Sequence, residues 1–351
     1  MKTTSFAFFS LVTLFVVTGI RAQTSRPTTQ DRIITFDAAG AGTDHGQGTV
    51  PRSINSIGGV TGEYYDSSVA THGFVRASDG TITTFDVPGA SRGNGQGTFP
   101  RSINSSGTIA GFYYDTSHVV VSVRGFVRAA DGIITTFDGG PNPGTVAIGI
   151  NDSGEIAGEN SSHGFVRAVD GTITTFDAGS IATVPTSINQ SGAITGWYVD
   201  ASFLVHGFLR DKDGTIIKFD PQGAVSGTSP TSINPSGAIA GIYSDALGSH
   251  GFLRDKGGTI TKSDIQGAVF GTIFAGINPS GAITGYFFDS NSLGRGFVRA
   301  KSGTITTFDV PGVGAPFFGD GTIPQSINPS GEITGYYTDA RGTYHGFLRQ
   351  R

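Results

Sequence analysis

His72-Gly73-Phe74-Val75-Arg76-Ala77-Ser78-Asp79-Gly80-Thr81-Ile82-Thr83-Thr84-Phe85-Asp86 is one copy of a unit that recurs along the whole chain. The copies close on Asp37, Asp86, Asp138, Asp177, Asp220, Asp264 and Asp309, between 39 and 52 residues apart. A repeat of this length is one supersecondary unit that buries its apolar faces by stacking on its neighbours. Inside the quoted stretch, Asp79-Gly80 joins two alternating runs and signals a two-residue hairpin. Such a turn predicts Phe74 opposite Phe85 and Val75 opposite Thr84, one aromatic pair on a shared face.

Working outward, each unit carries a second tight connection, Asn-x-Ser-Gly, as in Asn104-Ser105-Ser106-Gly107 and Asn278-Pro279-Ser280-Gly281, with Ile57 in place of the Ser in Asn55-Ser56-Ile57-Gly58. Asn closes an Asx-turn and Gly supplies the positive φ at its end. A Ser-Ile-Asn strand precedes that turn and an Ile-Thr-Gly-Tyr-like strand follows it, so each unit holds four consecutive antiparallel strands. Alternate loops then fall on opposite faces: the two tight turns on one, the variable connections on the other. The long connection after Phe-Asp is the crossover to the next unit, which places Ser-Ile-Asn innermost and Thr-Ile-Thr-Thr-Phe-Asp outermost.

Seven such sheets set radially make an all-β, seven-bladed β-propeller of four-stranded antiparallel blades. The last unit ends at His345-Gly346-Phe347-Leu348-Arg349 without an outer strand, and Ile33-Ile34-Thr35-Phe36-Asp37 is the orphan that fits it. The expectation is closure by the N-terminal strand, with Phe36 beside Phe347. A parallel β-helix is the alternative architecture, against which the repeated hairpin weighs.

These His-Gly-Phe-Val-Arg, Asp-Gly and Ser-Ile-Asn-x-Ser-Gly signals resemble the HAF-type extracellular repeats of bacteria over residues 31–351. The middle residue is Gly in every copy here, and Arg124 and Arg295 replace the histidine. The resemblance implies an exported, propeller-like protein of a family without an assigned reaction. It transfers no functional residue.

The N-terminus reads as a Sec signal peptide over residues 1–22: a short basic start, an apolar run and a small residue at Ala22. Residues 23–30 form a leader and 31–351 a single domain. The expectation is a secreted or periplasmic monomer with no membrane span after cleavage. Cysteine is absent, which excludes disulfides, a lipobox anchor and thiolate chemistry; a chain of this size buries a core without staples. Formal charge is −4 for the whole chain, so nucleic acid has no electrostatic reason to be a partner.

The repeated polar residues read as structure. Asn55, Asn104, Asn151, Asn189, Asn234, Asn278 and Asn328 each close their own turn. His72, His163, His206, His250 and His345 are spread one per blade, cannot converge on a metal, and fit a strand-edge hydrogen bond. The arginines of Phe-Val-Arg, Arg76 to Arg349, and the Phe-Asp aspartates suggest one link per blade interface or, alternatively, surface charges that contribute little. No catalytic residue, metal site or cofactor is called, because an active site needs different residues in different roles.

Where the copies differ, aromatic residues and short acids stand beside the variable loops: Tyr64, Tyr65, Asp66, Tyr113, Tyr114, Asp115, Trp197, Tyr198, Tyr286 and Tyr336. Such side chains stack sugar rings and bind hydroxyls, and they suit protein interfaces; alternation also allows some of them to pack between blades. The functional expectation is a non-catalytic exported scaffold binding a glycan or extracellular protein through the variable-loop face. One alternative is a glycan-active hydrolase or lyase with its site in the long loops 38–52 and 310–325, where Asp44, His45 and Asp320 stand. Another is a structural surface or matrix protein.

Overall fold

The computed structural model describes residues 32–116, 121–314 and 319–350; the signal peptide and leader expected at 1–30 lie outside them. Every regular element in the described residues is a strand. After β1 (Arg32–Phe36), the strands β2 (Gly48–Ile54), β3 (Val60–Tyr65), β4 (Thr71–Arg76) and β5 (Ile82–Phe85) pair in chain order as an antiparallel meander. The meander repeats as separate four-stranded sheets within residues 98–137, 145–176, 182–219, 227–263 and 272–308. A closing meander within 322–350 takes β1 as its fourth strand, and one parallel bridge, Gly48 to Tyr344, ties it to β2. The protein is an all-β propeller of four-stranded antiparallel blades. Antiparallel pairing inside each blade excludes the parallel β-helix.

The hairpin register differs from the sequence expectation by one residue. Gly73 lies opposite Phe85 and Phe74 opposite Thr84. The cause is the turn: Gly80 N–H donates to Ala77 O and Ala77 N–H to Thr81 O, so the loop has three residues, with positive φ at Gly80 alone. That is a type I turn with a bulge glycine instead of a two-residue turn. The shift explains the invariant Gly in the motif. A Cβ on Gly73 would come within 2.8 Å of the Phe85 ring, and one on Gly125 within 2.6 Å of Phe137.

Seated on glycine, each outer-strand phenylalanine reaches the next blade. Phe85 meets Phe126, Phe137 meets Phe165, Phe176 meets Phe208 and Phe219 meets Phe252, edge-on at 6.0–6.1 Å. The motif arginine of that next blade covers the same ring: Arg128 lies 4.9 Å from Phe85 and Arg167 5.0 Å from Phe137. Aromatic pairing and cation–π contact thus join neighbouring blades at the rim. The Phe-Asp aspartates pair with the motif His or with Arg124 and Arg295, while Arg76, Arg128, Arg167, Arg210, Arg254 and Arg349 each lie over the preceding blade's ring.

Closure by the N-terminal strand is observed, with Thr35 opposite Phe347 and Phe36 opposite Gly346. Phe36 does not pack beside Phe347, as the sequence suggested. By the same one-residue shift it seats on Gly346 and meets Phe74 of the first blade at 6.1 Å.

One interface departs from the pattern. Ser263 stands where the other outer strands carry Phe, and Phe274 of the following inner strand stands where others carry Pro or Ala. Phe274 is fully buried and fills the place over Gly251, where an added Cβ would meet its ring at 2.5 Å. The two substitutions exchange one ring between strands.

At the axis each turn asparagine acts twice. Asn55 Oδ1 accepts from Gly59 N–H at 2.7 Å, closing its own turn as expected. Its Nδ2 donates to the Asn104 carbonyl of the next blade at 3.0 Å. The step repeats from Asn104 to Asn151, Asn189, Asn234, Asn278 and Asn328, and Asn328 Nδ2 returns to the Asn55 carbonyl at 3.2 Å. The amides form a closed circuit.

Candidate functional site: the channel and its aromatic mouth

Inner strands such as β2 line a channel with a cavity of about 160 Å³. In each inner strand the register against the second strand slips once, between Pro51 and Ser53 in the first blade. The unpaired residue is Arg52, and its counterparts are Arg101, Ile148, Thr186, Thr231, Ala275 and Gln325. Such a bulge turns a side chain out of the ladder, and all of these residues line the cavity. The preceding proline, where present, needs no ladder N–H there. The bulge residues differ from blade to blade, whereas the neighbouring Ile and Asn do not.

Two of them are arginines, and both reach Glu63 of β3. Arg52 Nε donates to Glu63 Oε1 at 2.8 Å, and Arg101 Nη1 to the same oxygen at 3.3 Å. The Glu63 side chain is wholly buried, while about a quarter of each arginine is exposed, 28 % and 25 %. Burial alone would raise the Glu63 carboxyl; the two guanidiniums overcome it and hold the group below the usual range. Burial works against the Arg52 charge too, and Glu63 outweighs it, whereas burial prevails at Arg101 and lowers it. A removed partner would leave buried charge uncompensated.

Aromatic rings surround this triad. Phe99 and Phe112 stack at 4.8 Å, Tyr114 meets Phe99 edge-on at 5.7 Å, and Arg101 lies 5.0 Å from the Phe112 centroid. On the other side, Tyr65 and Tyr336 both approach Tyr344, at 6.4 and 5.3 Å. Burial among these groups pushes the Tyr336 hydroxyl up to about 12, so it is a neutral donor at neutral pH. Tyr65 and Tyr344 sit at strand ends next to the variable loops, so this is the long-loop mouth of the channel.

Strand alternation divides the residues expected to bind ligand. Tyr65, Tyr114, Trp197, Tyr286 and Tyr336 are half-buried, with Tyr65, Tyr114 and Tyr336 in the clusters just described. Tyr64, Tyr113 and Tyr198 are buried between blades. Tyr64 stacks on His72 at 4.9 Å and Tyr198 on His206 at 5.1 Å. Asp66 and Asp115 are occupied by His72 and Arg124. Asp44 lies in the first crossover, where its N–H bonds Gln47 Oε1. Sequence reasoning missed Arg52, Arg101 and Glu63. Their signal was present as departures from the repeat at aligned positions.

The motif histidines have a structural task. His72 Nδ1 bonds Asp86 at 2.9 Å and its Nε2 bonds Asp66 at 3.3 Å, so one ring clamps the variable loop to the end of the outer strand. His206 and His250 repeat the arrangement with Asp220 and Asp200, and with Asp264 and Asp245. Arg124 and Arg295 substitute with the same pairs of partners, Asp138 and Asp115, Asp309 and Asp289. The third blade has lost the loop aspartate; His163 there keeps Asp177 alone and is half exposed. The Asp86 hydrogen bond raises His72 above the ordinary histidine range; at His206 and His250 burial opposes the same carboxylate effect and loses to it.

No family model matches the chain, and no curated protein does. Solved structures do share its fold. Virginiamycin B lyase from Staphylococcus aureus superposes with a TM-score of 0.60 at 15% identity, over 92% of this chain and 100% of that one. A streptogramin B lyase gives 0.58 at 16% identity, over 92% and 98%. An ancestral GH74 enzyme gives 0.52 at 12% identity, over 90% of this chain and 51% of that one. At such identities the likeness is one of fold.

Proposed function

We propose that this chain is an exported binding propeller that seats a carbohydrate in the long-loop mouth of its channel. The observation that carries the reading is the half-buried aromatic wall, Tyr65, Tyr114, Phe112, Tyr336 and Tyr344, gathered round a guanidinium pair that occurs in one sector only. Flat rings offer apolar faces to pyranose C–H groups, and the adjacent hydroxyl and guanidinium donors bind sugar oxygens. Export rests on the reading of residues 1–22 as a signal peptide. A glycan array followed by calorimetry tests it. Tyr336→Ala and Tyr65→Ala should each weaken a hit about tenfold or more, the loss of one stacking ring. An array without hits, beside a specific protein captured through the same face, would sink the carbohydrate reading.

A second reading, a glycan-active lyase or hydrolase, has one observation in its favour. Glu159 holds in the third blade the strand position that Glu63 holds in the first, opposite Val146 as Glu63 is opposite Val50. Its bulge neighbours are Ile148 and Thr186 in place of arginines, and among the described residues its carboxylate has no ion pair. Burial raises it, while Glu63 is held low. A carboxyl raised by burial in this way suits a proton donor. Release of reducing or unsaturated ends from a bound glycan, abolished by Glu159→Gln, would establish this reading over the first.

A further inference from the structure

The guanidinium pair is only half used. Arg52 Nε and Nη2 both turn to Glu63 Oε1, and Arg101 touches Glu63 through Nη1 alone. Among the described residues, Arg52 Nη1 and Arg101 Nε and Nη2 have no hydrogen-bond acceptor in the protein. The arginines are nevertheless held in place. Phe99 and Phe112 flank Arg101 at 5.6 and 5.0 Å, and the bulges fix both backbones. Two cations against one buried carboxylate leave one net positive charge on the cavity wall, and no other lining residue is charged.

The neighbouring hydroxyls have the same polarity. Ser53 Oγ accepts from Ile103 N–H at 3.4 Å, and Ser326 Oγ accepts from Ile54 N–H at 3.4 Å. With the oxygen so engaged, each hydroxyl proton is directed away from that N–H, and neither has an acceptor among the described residues. Thr186 and Thr231 behave differently, spending their protons on the carbonyls of Pro230 and Phe274 at 2.8 and 2.7 Å. The wall beside the arginines therefore offers several donors and a net positive charge, and the Gln325 amide on the same wall is uncharged. An oxyanion is the ligand that satisfies such a set.

We infer that Arg52 and Arg101, with the Ser53 and Ser326 hydroxyls, form an oxyanion seat in the channel that selects saccharides carrying a carboxylate or sulfate. The saccharide half of this rests on the carbohydrate reading above; the oxyanion half stands without it. Sugar rings would lie against the tyrosines at the mouth while the acid group points down the axis to the arginines. Glu63 then acts as a positioning residue: it orients both forks and weakens the seat by its own charge.

The test is calorimetric titration of the intact chain with trigalacturonate, with neutral galactotriose of the same length, and with sodium sulfate alone. Trigalacturonate should bind at least about tenfold more tightly than galactotriose and lose that margin as salt rises, since the difference is one charge-assisted contact. Arg101→Gln should abolish the margin, and Arg101→Lys, which keeps charge but not the fork, should restore part of it. Glu63→Gln gives a readout that misfolding cannot imitate: sulfate should raise its melting temperature more than that of the parent chain, because the competing carboxylate is gone. Equal binding of the acidic and neutral trisaccharides overturns the oxyanion seat and leaves the carbohydrate reading intact. Sulfate binding that depends on Arg101, with no saccharide bound, upholds the seat and overturns the saccharide. No response to sulfate in Glu63→Gln, together with no margin for trigalacturonate, overturns the whole inference.

Discussion

At the rim, Phe85, Phe137, Phe176 and Phe219 make the same edge-on contact with the next blade, over the same glycine and under the same arginine. At the axis, the bulge of each inner strand carries a different choice: two arginines, two threonines, Ile, Ala and Gln. Both regions recur once per blade, yet one tolerates almost no variation and the other consists of it. The rim must satisfy one packing problem at every interface, so its residues answer to shape. The bulge side chains all line the cavity, and only some of them also bond a neighbouring blade, as Thr186, Thr231 and Arg101 do. Even the rim's exception obeys its rule, since Ser263 and Phe274 together still deliver one ring to Gly251.

The sharpest way to break the rim is to remove its closing strand. A chain beginning at Ala38 lacks β1, so the closing blade is left with an open edge and Phe74 loses Phe36. The lost aromatic alone is worth about 3–5 kcal/mol. The melting temperature should fall by more than for any single substitution here, while a chain beginning at Gln30 should melt as the parent does. An unchanged midpoint for the shorter chain would show that β1 does not hold the ring.

The exchanged ring gives a double-mutant cycle. Ser263→Phe adds a ring to a filled space and should cost about 1–3 kcal/mol by overpacking. Phe274→Pro opens a cavity and should cost about 3 kcal/mol or more. The double variant restores the arrangement of the other interfaces, so it should be more stable than Phe274→Pro alone. Additive losses in urea denaturation would mean that the two positions do not share a ring space.

The axial amides should come next. Asn234→Ala removes the turn acceptor for Ala238 N–H and the donor to the Asn278 carbonyl. An expected loss of about 1–3 kcal/mol follows from leaving buried groups unpaired. Asn234→Asp keeps the turn acceptor and loses the donor, so it should fall between; a loss equal to that of Ala would assign the whole effect to the blade-to-blade bond.

The smallest effect is that of pH on the histidine clamps. The folded His72, His206 and His250 titrate above their unfolded value of about 6.5, so their contribution is complete below that value and disappears as pH rises through the raised folded values. Asp66, Asp200, Asp245 and Asp339 are held low, at Asp66 and Asp339 against a larger opposing effect of burial, and at Asp200 and Asp245 chiefly by backbone N–H donors. Their contribution is present above the unfolded value of about 3.9 and is lost as pH falls through the folded ones. The melting temperature should therefore be higher at pH 5.5 than at pH 9, by a few degrees at low salt and less in 1 M salt. A triple variant, His72→Gln with His206→Gln and His250→Gln, should flatten that difference; a slope that survives it would place the titration elsewhere.

Much of this architecture is legible in the residues. Asn-x-Ser-Gly and Asp-Gly are turns by their own chemistry, and their alternation with strands forces the meander and sorts the loops to two faces. The orphan Ile33 to Asp37 announces the closure. The hairpin register was not legible, because Asp-Gly fits two turns that differ by one residue and only the seat on Gly73 decides between them. The bulges were not legible either: one extra residue in Pro-Arg-Ser-Ile-Asn changes no composition or period. Glu63 and Arg101 stand in different units, 38 residues apart, and no periodicity along a strand joins them. What a repeat hides is the residue that breaks it.

The amide circuit at the axis works as a hoop. Each inner strand is gripped on both sides through Asn side chain and backbone, one residue beyond the buried Ile and three beyond the bulge residue. The bore is therefore gauged by groups that never touch what occupies it. Bulge positions that bond no neighbouring blade among the described residues, such as Ile148 and Ala275, are open to rewriting without resizing the opening. Substitution at either place rewrites the lining of the cavity while the hoop keeps the same diameter.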